Sequence, residues 1–370
     1  MNTPLLYIWQ QPEWPHWQYN PGQLLPLLSK VAYAQGSLLG RVADIGMGQR
    51  NHASLMVLTD DVVKTSAIEG ERLDVASVRS SIARRLGVDI GALAPVDRHI
   101  DGVVDMVLDA TQHYQQPLTE QRLHAWHAAW FPTGYSGMSK IRVGDWRDDA
   151  KGAMQVISGA INKPKVHFEA PSAHAIADEM ATFITWFNQN TPEPLIIKAA
   201  LAHLWFVTLH PFDDGNGRIA RALADLLLAR AEQSDQRFYS LSAQIELQRG
   251  AYYQVLEATQ KGTMDVTAWL VWFCETLYEA IVQAQSRIDA VLAKAVFWQR
   301  WSAVVFNERQ IKLINRLLDG FDGKLTTSKW AAIAKCSQDT ALRDINELMM
   351  VGLLRKLPQA GRSTGYELVL

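Results

Sequence analysis

The chain has 370 residues, 48% of them hydrophobic and 20% charged, with a formal net charge of −2 at pH 7. That length allows two or three domains with sizeable cores, and the near-neutral balance argues against general coating of nucleic acid while leaving room for a local basic face. No apolar run approaches the ~18 residues of a membrane-spanning helix and no basic stretch precedes an apolar one at the N-terminus; Cys274 and Cys336 stand far apart, so a reducing, cytoplasmic compartment is expected and a cysteine-based zinc cluster is not.

The predicted elements begin with a segment to about residue 25 in which Trp9, Pro12, Trp14, Pro15 and Trp17 crowd together, a composition suited to wrapping the body of the protein with buried aromatics. Residues 25–130 read as helices. One includes the apolar stretch Leu55–Val63 and closes on Thr65-Ser66-Ala67-Ile68-Glu69-Gly70, with Gly70 placed as a C′ glycine. Glu69 then falls in the last turn, where the helix dipole disfavours a carboxylate, so a partner is expected. An amphipathic stretch follows at Val75–Leu86. In the helix over Leu118–Trp130, His124 and His127 share a face with no further ligands nearby, which points to packing rather than metal. Asn162–Pro171 alternates in character between prolines, as an exposed hairpin would, and helices are predicted over Ser172–Asn188, Pro194–Leu209, Ile219–Arg230 and Trp269–Ala284.

The most informative run is His210–Arg221, HPFDDGNGRIAR. Pro211 should end the preceding helix at or near His210, because the residue before a proline is biased away from the α region. Gly215, Asn216 and Gly217 allow backbone conformations closed to other residues, and the helix behind them adds its dipole, so the turn is an anion site. Arg218 and Arg221, at i and i+3, would project from one side of the first turn toward phosphate oxygens. Asp214 beside polyphosphate would repel it unless a divalent cation lay between, and Mg2+ held by one carboxylate plus substrate phosphates is the usual solution. His210, with an ordinary pKa near ~6.5, can accept a proton from an attacking hydroxyl.

The same run resembles, position for position, the Fic-family signature HPFx(D/E)GNGRxxR. The resemblance implies a mostly helical Fic fold that transfers AMP from ATP to a Tyr, Thr or Ser hydroxyl of a target protein. His210 would be the general base, Asp214 the Mg2+ ligand, Gly215, Asn216 and Gly217 the anion nest, and Arg218 and Arg221 the ligands of the β- and γ-phosphates. Thr65–Gly70 is similar to the Fic inhibitory motif (S/T)xxxE(G/N), which implies that Glu69 pairs with Arg221 and holds ATP in an unproductive pose. The hairpin is similar to the Fic flap, with Val166, His167, Phe168 and Glu169 as its contacts. Leu241-Ser242-Ala243 with Tyr252 and Tyr253 resembles the segment that closes over adenine, and Gln260 stands where related proteins often carry Asn. Gly144–Arg147 and the Trp/Pro-rich extension are also like Fic segments.

From Arg309 the pattern changes. Helices over Arg309–Leu318, Thr327–Ala334 and Ser337–Met350, the last behind a Ser cap, precede two short strands in Leu353–Leu370 around a glycine-containing loop. That order resembles a winged helix, with a recognition helix starting near Gln338, Asp339 and Arg343 and with Arg355, Lys356 and Arg362 at the wing. From Glu308 onward ten Lys and Arg face seven Asp and Glu, a weak excess.

The expected fold class is mainly α: a Fic-type helical bundle with a small β-hairpin flap, plus a C-terminal winged helix-turn-helix domain. Expected boundaries are 1–115, 116–290 and 300–370. The leading function is a protein adenylyltransferase using ATP and Mg2+, held off by Glu69. Its alternatives are removal of AMP at the same site, with Glu69 positioning a water, and a nucleotide-sensing DNA-binding regulator. Expected partners are a target protein docked on the flap, DNA through the C-terminal segment, and a second copy in a homodimer. A membrane is not among them.

Overall fold

Single polar residues start most of the helices. In the computed structural model, which describes residues 7–43, 45–150, 152–160, 163–318, 321, 323–358 and 364–369, a first unit spans Met1–Gln285 and a second Ser286–Leu370. The first opens with α1 (Pro21–Ala43) and α2 (Met47–Ile68). Asp74 accepts from Ser77 N at 2.8 Å to begin α3 (Val75–Leu86), which Gly87 closes in the left-handed region. Asp97 and Thr119 cap α4 (Arg98–Gln112) and α5 (Glu120–Trp130) in the same way. Two antiparallel hairpins follow: β1 (Tyr135–Ser136) with β2 (Ser139–Lys140), and β3 (Gln155–Ala160) with β4 (Lys163–Glu169). The chain then runs through α6 (Ala173–Asn188), capped by Ser172, α7 (Leu195–Leu209), α8 (Asn216–Glu232), α9 (Leu241–Leu247), capped by Ser240, α10 (Arg249–Gln260) and α11 (Thr267–Arg300).

Every residue of α7 from Ile196 to Leu209 is buried, and so is α8 from Arg218 to Ala229. Helices apolar all round belong inside a domain. These two pack on each other; α2 and α4 lie against α8, and α3 and α9 against α2. The N-terminal segment wraps this body, as its aromatics suggest: Trp9 Nε1 donates to Glu169 O at 2.8 Å, Trp14 Nε1 to Glu179 Oε2 at 3.0 Å, and both Trp14 and Trp17 meet Trp205 edge-on. No helix among the described residues is long and apolar enough to cross a membrane.

Two expectations shift. The hairpin's second strand falls where the alternation placed it, although Asn162 lies outside the described residues. Its first strand, Gln155–Ala160, and the small β1–β2 hairpin have no forecast in the sequence. And α8 begins at Asn216, three residues before Ile219, because the loop ahead of it is closed by a side chain rather than by backbone alone.

The second unit contains α12 (Glu308–Leu318), α13 (Thr327–Ala334), α14 (Gln338–Met350), and an antiparallel pair, β5 (Leu354–Lys356) with β6 (Tyr366–Leu368). Thr326 and Ser337 cap α13 and α14. Leu313, Ile314, Trp330, Ile345 and Leu348 form its core. Asp344, buried on α14, is held by Arg309 Nε and Nη2 at 2.9 Å each, and Arg355 pairs with Glu367 at 2.7 Å. Three helices followed by an antiparallel hairpin is the order read from the sequence; Arg362 lies outside the described residues.

Candidate active site

His210 ends α7 in the left-handed region, at φ 49° and ψ 55°. A non-glycine residue there costs on the order of 1 kcal/mol and persists where its surroundings over-determine it. Arg147, 3% exposed, supplies that restraint. Its Nε donates to His210 O at 2.7 Å, its backbone N to Pro211 O at 2.9 Å, and its Nη2 to Pro171 O, just past β4. The imidazole is fixed as well. Nδ1 donates to Val207 O at 3.0 Å, and a carbonyl can only accept, so Nδ1 carries the proton and Nε2 of the neutral ring is left as an acceptor. Burial pushes the His210 pKa below its ordinary value and the Arg147 charge acts in the same direction, so the neutral form is favoured.

The loop after His210 is closed by Asn216, which is 2% exposed. Its Oδ1 accepts from Phe212 N at 3.0 Å and its Nδ2 donates to Phe212 O at 2.7 Å. The asparagine is therefore a clamp on the loop, and its side chain is not available to an anion. Gly215 takes φ 82°, where a side chain is strained, but Gly217 is helical. Gly217 is needed for space: a Cβ there would overlap Glu69 Oε1 and come within 3.2 Å of Arg221 Nη1. Beneath the loop, the His127 ring stacks on Phe212 at 4.2 Å and its Nδ1 accepts from Gly144 N at 3.0 Å, while His124 meets Trp146 edge-on. Both histidines pack, as expected. Asp214 accepts from Gly215 N at 2.6 Å and from Ser136 Oγ on β1, a contact across 78 residues.

Each arginine is already held. Arg221, 1% exposed, donates from Nε to Thr65 Oγ1 at 2.7 Å, and from Nη2 to Thr65 O at 2.9 Å and Glu69 Oε1 at 2.8 Å. Glu69 is the C-cap of α2 and Gly70 follows at φ 85°. Arg218 lies 4.2 Å over the Trp130 ring and donates to Glu71 Oε2 at 3.0 Å and Asp214 Oδ1 at 3.3 Å. Glu71 also holds His99 Nε2 at 2.6 Å. Burial disfavours the Glu71 carboxylate, but His99 and Arg218 outweigh it and keep its pKa below the usual range. The two arginines therefore do not present one shared face. Each goes to its own carboxylate.

A cavity of about 670 Å3 opens at this corner, lined by His210, Asp214, Gly215, Asn216, Gly217 and Glu69. Tyr252, Tyr253 and Gln260 of α10 form another wall, with His167 and Phe168 of β4. Tyr252 OH pairs with His203 Nε2 at 3.0 Å, Tyr253 OH donates to Ile68 O at 3.2 Å, and the Gln260 amide lies 3.4 Å from Val207 O, the carbonyl that orients His210. Val166 and Glu169 do not line the cavity, nor do Arg218 and Arg221; Arg218 lines a second cavity of about 490 Å3 that shares Glu69 and Asp214. Leu241–Ala243 also falls away from it: the Ser240 cap donates to Asp61 Oδ1 at 2.6 Å, which seats α9 on α2. Gln155–Ser158, Lys165, Arg249 and Glu257 line the cavity without having been singled out in the sequence. The carboxylate of Glu71, two residues past Glu69, was the one such signal available. The arrangement places an unprotonated imidazole nitrogen at the N-terminus of a buried helix, where an anion is favoured and a hydroxyl can lose its proton.

Residues 117–228 match the family described as Fic/DOC, and residues 7–88 match one described as a domain of unknown function, DUF4172. The crystal structure of a Fic family protein from Desulfovibrio desulfuricans G20 shares the fold, with a TM-score of 0.54 at 19% identity, covering 96% of this chain and 98% of that one. Among curated relatives, protein adenylyltransferase fic-1 of Caenorhabditis briggsae is 33% identical over 81 residues, 20% of this chain and 16% of that protein. Protein adenylyltransferase Fic of Nematostella vectensis is 43% identical over 63 residues, covering 16% and 15%. That of Drosophila grimshawi is 36% identical over 135 residues, covering 34% and 28%. The chain thus spans less than a third of the length of each of these curated relatives.

Proposed function

With residues 117–228 forming a Fic domain as the premise, we propose that this chain is a protein adenylyltransferase, moving AMP from ATP to a side-chain hydroxyl of a target protein. The observation that carries the reading is the His210 imidazole, with Nδ1 tied to Val207 O and Nε2 left to accept, in the cavity lined by Gly215–Gly217 at the start of α8.

In the reaction, the target hydroxyl oxygen bonds to the α-phosphorus, the bond from that phosphorus to the bridging oxygen breaks, and pyrophosphate leaves. His210 Nε2 takes the hydroxyl proton. The α8 N-terminus steadies the phosphates, with Arg218 and Arg221 reaching the β- and γ-phosphates once their carboxylate partners let go. Tyr252, Tyr253 and Gln260 would border the adenine. The hairpin of β3 and β4, two-stranded and so open at its edges, would take a target segment by strand pairing.

Asp214 suits Mg2+: a single carboxylate, 40% exposed and lining both cavities, can share an ion with substrate phosphates. That ion would neutralise the phosphate charge.

Glu69 is proposed as the inhibitor. It occupies the guanidinium that the γ-phosphate needs, in a contact fixed by Thr65 and by the turn at Gly70. Because Glu69 also lines the cavity with His210, removal of AMP, with Glu69 positioning the attacking water, is the second reading. Incubating the full-length Glu69→Gly chain with α-phosphorus-labelled ATP, Mg2+ and a cell lysate tests the first. Protein-bound label is expected, above that from the unaltered chain. If ATP survives intact and no protein is labelled, transfer is overturned. Release of AMP from a labelled protein by the unaltered chain, lost in Glu69→Gly, would favour removal.

A further inference from the structure

The β3–β4 hairpin carries a second ordered set of proton-handling groups. Ser158 Oγ lies 2.6 Å from His167 Nε2, and His167 Nδ1 lies 2.7 Å from Glu257 Oε2. Three elements supply them: β3, β4 and α10. The other oxygen of Glu257 takes Lys261 Nζ at 2.6 Å, and that hydrogen bond is the chief reason its carboxyl sits below the ordinary range. A carboxylate only accepts, so in the neutral imidazole Nδ1 carries the proton and Nε2 accepts from the Ser158 hydroxyl. Nucleophile, base and a third group orienting the base is the arrangement that activates a hydroxyl.

The backbone makes room for it. The β3–β4 register breaks between Val156 and Ile157, which pair with Phe168 and Val166, so His167 is the unmatched residue of a bulge. Bulges re-aim side chains. A serine and a histidine that merely braced the hairpin would need neither a carboxylate behind the ring nor access to the site. Here Ser158, His167 and Glu257 all line the cavity that His210 and Gly217 line, and Ser158 is exposed.

We infer that Ser158 is an internal acceptor, a hydroxyl activated by His167 and Glu257 to take the adenylyl group of a nucleoside triphosphate held in the same cavity. The inference rests on the AMP-transfer reading but uses a base other than His210. Ser158 Oγ bonds to the α-phosphorus, the bond from that phosphorus to the bridging oxygen breaks, and pyrophosphate departs with the electron pair. The Ser158 proton passes to His167 Nε2, and Glu257 steadies the imidazolium. The product is a phosphodiester on the hairpin that occupies part of the cavity, so the self-modified chain binds ATP more weakly.

Peptide mass mapping of the full-length Glu69→Gly chain after incubation with ATP, Mg2+ and a cell lysate tests this. An adenylate on Ser158 is expected, absent after Ser158→Ala. Its share of total incorporated AMP should fall about tenfold or more with Glu257→Gln, in line with the loss of an oriented base. With His210→Ala added, Ser158 should keep its label while transfer to lysate proteins stops. Adenylate elsewhere but not on Ser158 overturns the inference and leaves AMP transfer standing. An unchanged Ser158 share in Glu257→Gln, or loss of that label with His210→Ala, overturns His167 as its base. No adenylate on any protein and no pyrophosphate released overturns the transfer reading and this inference with it.

Discussion

Glu69 Oε1 and Arg221 Nη2 lie 2.8 Å apart, joining the end of α2 to the first turns of α8 across 152 residues of sequence. The arginine is almost wholly buried while the glutamate side chain is 29% exposed. The contact is therefore asymmetric. Arg221 cannot leave, but Glu69 can withdraw toward solvent, and Thr65 keeps the guanidinium in place when it does.

Glu69→Gly should raise AMP transfer about tenfold or more, the factor that ~1.4 kcal/mol of released restraint gives. Breaking a buried ion pair costs ~3–5 kcal/mol, yet the two remaining Thr65 contacts and the exposure of Glu69 reduce this to about 1–2 kcal/mol here. Initial rates with labelled ATP and urea denaturation measure the two effects. An unchanged rate in a folded chain would remove Glu69 as the inhibitor.

His210→Ala should lower transfer to other proteins by about 10²–10⁴. Because burial holds the His210 pKa below its ordinary ~6.5, the acid limb of kcat/KM should lie below pH ~6.5 and activity should be flat through neutrality. The sign for stability follows. As pH falls through ~6.5 the unfolded chain gains a proton the folded one refuses, so this residue makes the fold less stable until the lower folded pKa is passed. A pH–rate profile whose acid limb is centred above ~6.5 would contradict the assignment.

Gly217→Ala separates room from flexibility. The position is helical, so alanine should favour the backbone by ~1 kcal/mol; the clash of its Cβ with Glu69 should instead destabilise the unaltered chain by about 1–3 kcal/mol. In the Glu69→Gly background the penalty should vanish or change sign. Unfolding midpoints of the four proteins form the cycle, and equal shifts in both backgrounds would mean that the two residues do not meet.

Asn216→Ala should destabilise by about 2–4 kcal/mol, since it orphans the N–H and C=O of Phe212 inside the protein. Asn216→Asp keeps the acceptor, sets a carboxylate against Phe212 O, and should recover only part of the loss. Denaturation reads the stability, and titration with ATP reads the loop. A neutral Asn216→Ala variant would show that the loop holds its shape without the clamp.

Helices were legible wherever a cap, a glycine stop and an apolar period agreed, as at Ser337 for α14 and Gly70 after α2. The HPFDDGNGRIAR run located the site because its chemistry is local. Division of labour within the run was not. Asn216 and Gly217 look alike as turn residues, and only the closed loop and the approach of Glu69 show one to be a clamp and the other a gap. Arg147 and Ser136 act on the run from 63 and 78 residues away, and a contact that distant leaves no periodic trace. Strand β3 escaped notice because Gln155–Ala160 is short and partly glycine and alanine, and its face is defined by a bulge against β4.

Tyr253 lines the cavity and donates to the final carbonyl of α2, at Ile68, one residue before Glu69. Whatever displaces that phenol also loosens the end of the inhibitory helix, so occupancy of the tyrosine wall and release of Arg221 are thermodynamically linked, and the linkage is reciprocal. Apparent affinity for ATP is then the intrinsic affinity scaled by the released fraction; a rest ratio of about 99:1 would weaken it about a hundredfold. A second ligand that favours the released state would restore that affinity without touching the phosphates.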